Sequence, residues 1–410
     1  MDDFETKLAE LAVRVGLNLK EGQEIFLTAH VDHLPLVRAI ARAAYGAGAA
    51  GVFPLISDDE VSLARLRYGN ETALNHAPRW FFEAVARAFD EGAARLAITG
   101  TDPGLFGEIP PEKVGKHMQA TREAYRPMLI RISEFRINWT IVGYPSRGWA
   151  KAVFPDLPED EALKALKTAI AKATRLDEAD PVAAWRQRAD ELTARARYLS
   201  EQNFDALHFR GPGTDLVVGL AEGHVWQGGW GQAKNGVTCL PNIPTEEVFT
   251  MPHRDRVDGV VSATMPFSLN GVLVRGLTVR FRDGVAVRVQ AEEGQKAVEA
   301  LLSADEGAKR LGEVALVPVD SGVKKAGVLF LNTLFDENAA SHIAFGQAYA
   351  ENLKDAEALT PEARAQRGMN QSQVHQDWMI GSEAMDVDGI RKGGTRVPLM
   401  RGGQWVFEVA

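Results

Sequence analysis

Apolar residues recur at helical spacing at the start of the chain: Phe4, Leu8, Leu11, Ala12 and Val15, with Gly16 placed to end that helix. A short apolar run at 25–29 predicts a strand, 34–45 a helix rich in Ala and Ile, and 51–56 a second strand. Residues 80–89 again predict a helix and 94–99 a strand. This alternation predicts an α/β domain with a mostly parallel sheet over residues 1–190. Residues 159–202 are charged, Ala-rich and helical in pattern, with Pro181 at a helix start or kink.

Past Phe204 the texture changes to glycine clusters and short strands. Strands are predicted at 206–209, 216–219, 225–226, 271–281, 285–289, 314–317 and 328–331, with a helix at 294–302. Asp283-Gly284 between apolar alternations marks a hairpin. A meander over 386–390, 397–400 and 405–409 closes a strand-rich α+β domain over 191–410.

Composition narrows the function classes. With 45% hydrophobic and 25% charged residues the chain is ordinary globular protein. A net charge of −9 argues against nucleic acid as partner. A single cysteine, Cys239, excludes a disulfide within the chain and Cys-rich zinc or iron–sulfur sites. No apolar stretch approaches the roughly 18 residues of a membrane helix. Met1-Asp2-Asp3-Phe4-Glu5 lacks the basic and apolar regions of a signal peptide, so a cytoplasmic protein is expected. Gly46-Ala47-Gly48-Ala49-Ala50-Gly51 matches a dinucleotide fingerprint, but it follows a helix and precedes a strand, the reverse of what phosphate binding needs. It reads as a helix end and tight turn.

The residues that point to chemistry are acids and histidines in apolar company. Residues 335–349 carry Glu337, His342 and Tyr349, and residues 374–382 carry His375 and Asp377. In a strand, residues two apart share a face, so His375 and Asp377 project together. Glu313 opens the apolar run 314–317 and Glu247 lies between Pro244 and Phe249; a carboxylate buried there needs a charged partner or a metal. Were 339–349 helical, His342 and Tyr349 would share a face. Imidazoles and carboxylates without thiolates suit Zn²⁺, Co²⁺ or Mn²⁺, with Mg²⁺ at the carboxylate-rich part. The set is large enough for two ions sharing a bridge and a water or hydroxide, whose chemistry is hydrolysis. Taken singly, each histidine is compatible with a structural role; their joint occurrence points to a metal.

At these residues the chain resembles the aminopeptidase T family of metallopeptidases. The resemblance runs from Arg14-Val15-Gly16-Leu17-Asn18 to Pro398-Leu399-Met400-Arg401 and is densest at 242–250, 334–351 and 374–382. It implies an α/β N-terminal domain, a larger catalytic domain, a homodimer, and release of single residues from peptides with a free N-terminus, with broad specificity. It implies Glu247, Glu313, Glu337, His342, His375 and Asp377 as ligands of two divalent ions, and Tyr349 as the catalytic tyrosine. The family spacing selects Glu247 over Glu246, which is expected to lie behind the site or in solvent. The polar stretch 354–366 is slightly longer than the family pattern and reads as a loop insertion. Tyr349 suits the tetrahedral oxyanion, and Glu313 and Glu337 both qualify to carry the proton. Two other readings stand beside this one: another metal hydrolase such as an amidase, and a peptide-binding protein with a structural metal. Structural zinc sites are closed, four-coordinate and favour Cys, which counts against the second.

Overall fold

The computed structural model describes residues 3–269 and 271–409. The chain divides into two compact units, one of Met1–Arg186 with Trp230–Pro244, the other of Gln187–Gly229 with Thr245–Ala410.

The first unit is built on a parallel sheet, as the alternating pattern predicts. Its strand order is Gly51–Ser57, Glu24–His30, Ala94–Thr99, Trp139–Gly143 and Asn242–Ile243, and every neighbouring pair is parallel. Parallel neighbours need long crossovers, supplied by helices such as Leu34–Gly46 and Pro111–Ser133. Ile25, Leu27, Leu96 and Val142 are buried in the inner strands, whereas Phe53 on the edge strand is exposed. The glycine run is the expected turn: the helix ends at Gly46, Gly48 has φ +89° and the next strand starts at Gly51. The first helix departs from expectation. It runs Phe4–Leu11 and then widens into a π-helical turn over Ala12–Gly16. Gly16 is the last residue of that turn rather than the residue past its end, and the position is tight: a Cβ would lie 2.7 Å from Thr140 Oγ1.

The second unit carries two larger antiparallel sheets. The eight-stranded one runs from Val285–Gln290 at one edge through Pro252–Ser262, Thr214–Leu220 and Ala206–Gly211 to Gln404–Trp405 at the other. Asp283 and Gly284 both have positive φ, at +49° and +78°, as a tight hairpin requires. The four-stranded sheet comprises β1 (Val248–Thr250), β2 (Leu311–Leu316), β3 (His342–Gly346) and β4 (His375–Met379), in that spatial order. One face of these strands joins a core that includes Val314, Ile343, Phe345 and Trp378 with Phe209, Val257 and Phe281.

The last expected strand, 405–409, is reduced to Gln404–Trp405, and two others are absent because their backbone groups find partners outside a ladder. At 225–226 the backbone N–H groups of Val225 and Trp226 go to Asn352 O and Ser200 Oγ instead of a ladder. At 328–331 the chain wraps a carboxylate: Phe330 and Asn332 N–H donate to Asp336 at 2.8 and 3.0 Å, and Leu331 has φ +56°.

Phe345 is buried, with its ring stacked on Trp378 at 5.5 Å and tilted on Phe281 at 6.1 Å. Phe345→Ala is expected to cost about 3–5 kcal/mol through lost burial and the cavity left behind. A urea titration checks this: the midpoint falls and the slope stays unchanged.

Candidate metal centre

The period-2 alternation of three strands sorts ligands from core. On β3, Ile343 and Phe345 face the core while His342, Ala344 and Gly346 face the other side. On β2, Val314 and Leu316 face the core and Glu313 and Ala315 do not. On β4, Trp378 faces the core and His375 and Asp377 share the opposite face, as their spacing predicts. Cross-strand register completes the alignment. Glu313 lies opposite Ala344 and Ala344 opposite Asp377, so one row across the sheet runs acid, alanine, acid. The small residues between leave room above the sheet for the longer side chains. An irregularity at Gly312 sets this register; a Cβ there would lie 2.3 Å from Gln347 O.

Five of the seven expected residues form two groups, and the other two, Glu337 and Tyr349, lie beside them. Glu247, Glu313 and His342 offer ligand atoms within 4.8 Å of one another, as do Glu313, His375 and Asp377. Glu313 belongs to both. Its Oε1 lies 3.5 Å from His342 Nε2 and its Oε2 3.6 Å from His375 Nε2. His342 Nε2 is also 3.1 Å from Glu247 Oε2, and His375 Nε2 is 3.4 Å from Asp377 Oδ1. Glu337 stands outside both groups, on the 3₁₀ turn Glu337–Ala339. Tyr349 follows β3, with its ring 4.8 Å from His375 and 6.5 Å from Phe249, and 41% of its surface remains accessible. The segment 339–349 is not helical: His342 lies on a strand and Tyr349 on the loop after it. Ile343 and Phe345, alternating into the core, override local helix preference.

Both imidazoles are oriented from behind. His375 Nδ1–H donates to Gln347 O at 2.7 Å and His342 Nδ1–H to Ala340 O at 3.2 Å. A carbonyl only accepts, so each Nε2 is left to the cluster, as in histidine metal ligands. The sequence reading missed these acceptors, because a backbone carbonyl leaves no mark in the residue pattern. Of the two places expected for Glu246, behind the site or in solvent, the structure shows the buried one. Glu246 is fully enclosed and pairs with Arg188 at 2.7 Å.

The electrostatics show what the cluster lacks. Burial raises the Glu313 carboxyl, partly offset by the nearby His342 imidazole. Burial, then the charges of Glu247 and Asp377, holds Glu337 well above the ordinary carboxyl value. Burial by itself would lower His342, but Glu247 and Glu313 outweigh it and hold it well above the usual imidazole value. His375 is likewise opposed by burial yet pushed up to about 9, chiefly by Asp377. Crowding and the charges of Glu313 and Asp377 raise the Tyr349 phenol, which keeps its proton. Every one of these shifts is the response of a site short of positive charge. Glu247 Oε2 and His342 Nε2 are buried without an aligned hydrogen-bond partner, so two ligand-type atoms face each other where a cation would satisfy both. The donor set fits divalent ions of the Zn²⁺, Co²⁺ or Mn²⁺ type.

A pH dependence follows. Below about 9 the metal-free His375 holds a proton that a bound ion must displace. Zn²⁺ affinity should therefore rise with pH through the neutral range, and binding at neutral pH should release protons. Calorimetry in buffers of different ionisation enthalpy measures this; a binding heat independent of buffer would contradict it.

Comparison with known proteins agrees with this geometry. The chain is 57% identical over 401 residues to aminopeptidase T of Thermus aquaticus, covering 98% of each chain. It is 41% identical over 404 residues to aminopeptidase 2 of Geobacillus stearothermophilus, again covering 98% of each. The solved structure of wild-type AmpT from Thermus thermophilus superposes with a TM-score of 0.94 at 54% identity, covering 99% of this chain and 100% of that one. The family model described as thermophilic metalloprotease (M29) matches residues 2–405, and the chain belongs to that family.

Proposed function

We propose that this chain is a metal-dependent aminopeptidase that works with two divalent ions and removes single residues from peptides with a free N-terminus, with broad specificity. The family and the aminopeptidase relatives support the metallo-aminopeptidase activity itself. The observation that carries the two-ion reading is Glu313, which turns one oxygen to each of two ligand groups.

In this reading Glu247 and His342 would hold one ion, His375 and Asp377 the other, and Glu313, which belongs to both groups, would serve each. Ions held there supply Lewis acidity, polarising the scissile carbonyl and acidifying a water. The remaining residues divide the proton and charge work. Glu313 is committed to both groups, so Glu337 is the carboxylate free to take a proton and return it to the leaving amine. Burial and the neighbouring carboxylates favour its protonated form, so a proton taken there is held until the leaving amine needs it. The Tyr349 hydroxyl, protonated and accessible beside His375, donates to the developing oxyanion. Zinc or cobalt as the working ion, a homodimer and a cytoplasmic location complete the proposal. No helix among the described residues is long and apolar enough to cross a membrane.

Hydrolysis of a free dipeptide amide should stop on exhaustive chelation and return with Zn²⁺ or Co²⁺, while the N-acetylated analogue should resist cleavage. Full activity in verified metal-free protein would overturn the reading. Glu247→Gln should lose metal along with activity, because an amide is a weaker, uncharged ligand. Metal analysis of the purified variant checks it.

Tyr349→Phe should leave metal content unchanged and lower kcat about 10²–10³-fold, the usual effect of losing one oxyanion donor. The loss should fall on kcat more than on KM. Steady-state kinetics on metal-replete protein measures it; a kcat within a few-fold of the parent would remove Tyr349 from the mechanism.

A further inference from the structure

Glu246 precedes Glu247 and is buried, and three contacts hold it. Its Oε2 lies 2.7 Å from Arg188 Nη2, on the helix Pro181–Gln202. Its Oε1 accepts from the Gly322 N–H at 3.2 Å. Its own backbone N–H donates to Asn338 Oδ1 at 2.6 Å. Asn338 is itself fully buried, donates to Leu334 O at 3.0 Å, and directly follows Glu337. One hydrogen bond thus ties the residue before Glu247 to the residue after Glu337, across 92 positions of sequence.

We propose that Glu246, clamped by Arg188 and Asn338, is a positioning residue that fixes Glu247 relative to Glu337. The inference rests on the metal reading above and adds to it. Glu247 is a ligand on a short connection before β1, where no strand ladder holds its backbone. Glu337 sits on the 3₁₀ turn that continues the short helix Thr333–Asp336, outside the sheet. Neither has the rigidity that the sheet gives Glu313, His342, His375 and Asp377. The Glu246 clamp supplies it from outside the sheet, and the Arg188 guanidinium fixes the carboxylate end. The ion pairs seen for Arg188 among the described residues are with Glu246 and Glu191, neither of them in the ligand groups. A loose clamp lets Glu247 drift, and the ion it holds changes geometry while the other ligands stay in place. Substrate binding is a smaller casualty than turnover, because proton transfer by Glu337 depends on the distance between the two acids.

The test compares Arg188→Met and Arg188→Lys in the full-length, Co²⁺-loaded enzyme, well below the unfolding temperature of each. Arg188→Met should keep both ions, shift the visible cobalt absorption, and lose about 10–100-fold in kcat with KM little changed, the range seen when residues behind metal ligands are removed. Arg188→Lys, which keeps a cation within reach of Glu246, should restore the parent spectrum and most of kcat. A purely structural role would lower thermal stability and leave the spectrum and kcat of the folded protein as in the parent; that result overturns the inference. If Arg188→Met does not fold, Glu246→Gln, of the same shape without the charge, is read in the same way. A parent enzyme that holds no cobalt would sink the metal reading and the inference with it, whereas a cobalt-loaded, active parent with parent-like variants sinks the inference alone.

Discussion

The structure of the second unit turns on a charge imbalance held out of water. Glu247, Glu313, Glu337 and Asp377 converge with two imbedded imidazoles, His342 and His375, above a single sheet face. Four carboxylates in such a place repel one another and lose hydration, and each is costly unless paired. Without ions the protein answers in the one way open to it, by holding protons: the histidines and two of the acids all titrate above their ordinary values. On the two-ion reading the imbalance disappears, since two divalent cations with neutral histidines match four carboxylates. The cluster is therefore poor as a device for stability and well suited to capturing cations, and the energy to assemble it comes from the core beneath.

That core explains why the site can exist. The strands that present ligands on one face bury Val314, Ile343, Phe345 and Trp378 on the other. The same alternation that aims His375 and Asp377 upward drives Trp378 down, and the apolar face anchors the polar one. Ala315, Ala344 and Gly346 occupy the site face between the ligands, where larger side chains would fill the space an ion and a substrate need. Register matters as much as composition. A slip by one residue would exchange the two faces and bury the ligands in the hydrocarbon core.

Parts of this were legible in the sequence because they follow from short periods. The parallel sheet of the first unit shows in alternating apolar runs, and the shared face of His375 and Asp377 in their spacing of two. Where partners far along the chain decide, the residue pattern is mute. The stretch 339–349, rich in good helix formers, is a strand because Ile343 and Phe345 find Trp378 and the core. Nothing local distinguishes Glu246 from Glu247. Arg188, on a helix far upstream, determines which acid is clamped and which is left to face the cluster. Residues 230–244 lie within the strand-rich half of the sequence, yet Asn242–Ile243 adds a fifth parallel strand to the first unit by pairing with Trp139–Gly143. A two-residue strand carries too short a pattern to announce its partner.

The placement of groups on strands or turns also divides the chemistry. Glu313, His342, His375 and Asp377 lie within β2, β3 and β4, where ladder hydrogen bonds fix the backbone. Ligands so held are preorganised, and an ion entering pays little to order them. Glu337 and Tyr349 occupy a 3₁₀ turn and a loop at the margins of the same sheet. In the reading proposed here these are the groups that must follow a moving proton and a carbonyl oxygen whose geometry changes from planar to tetrahedral. Rigid ligands beside more adjustable proton and oxyanion donors is an arrangement that holds the electrostatic centre fixed while the reacting atoms move. In the same reading Glu247, the one proposed ligand outside the ladders, is the one for which a clamp is proposed.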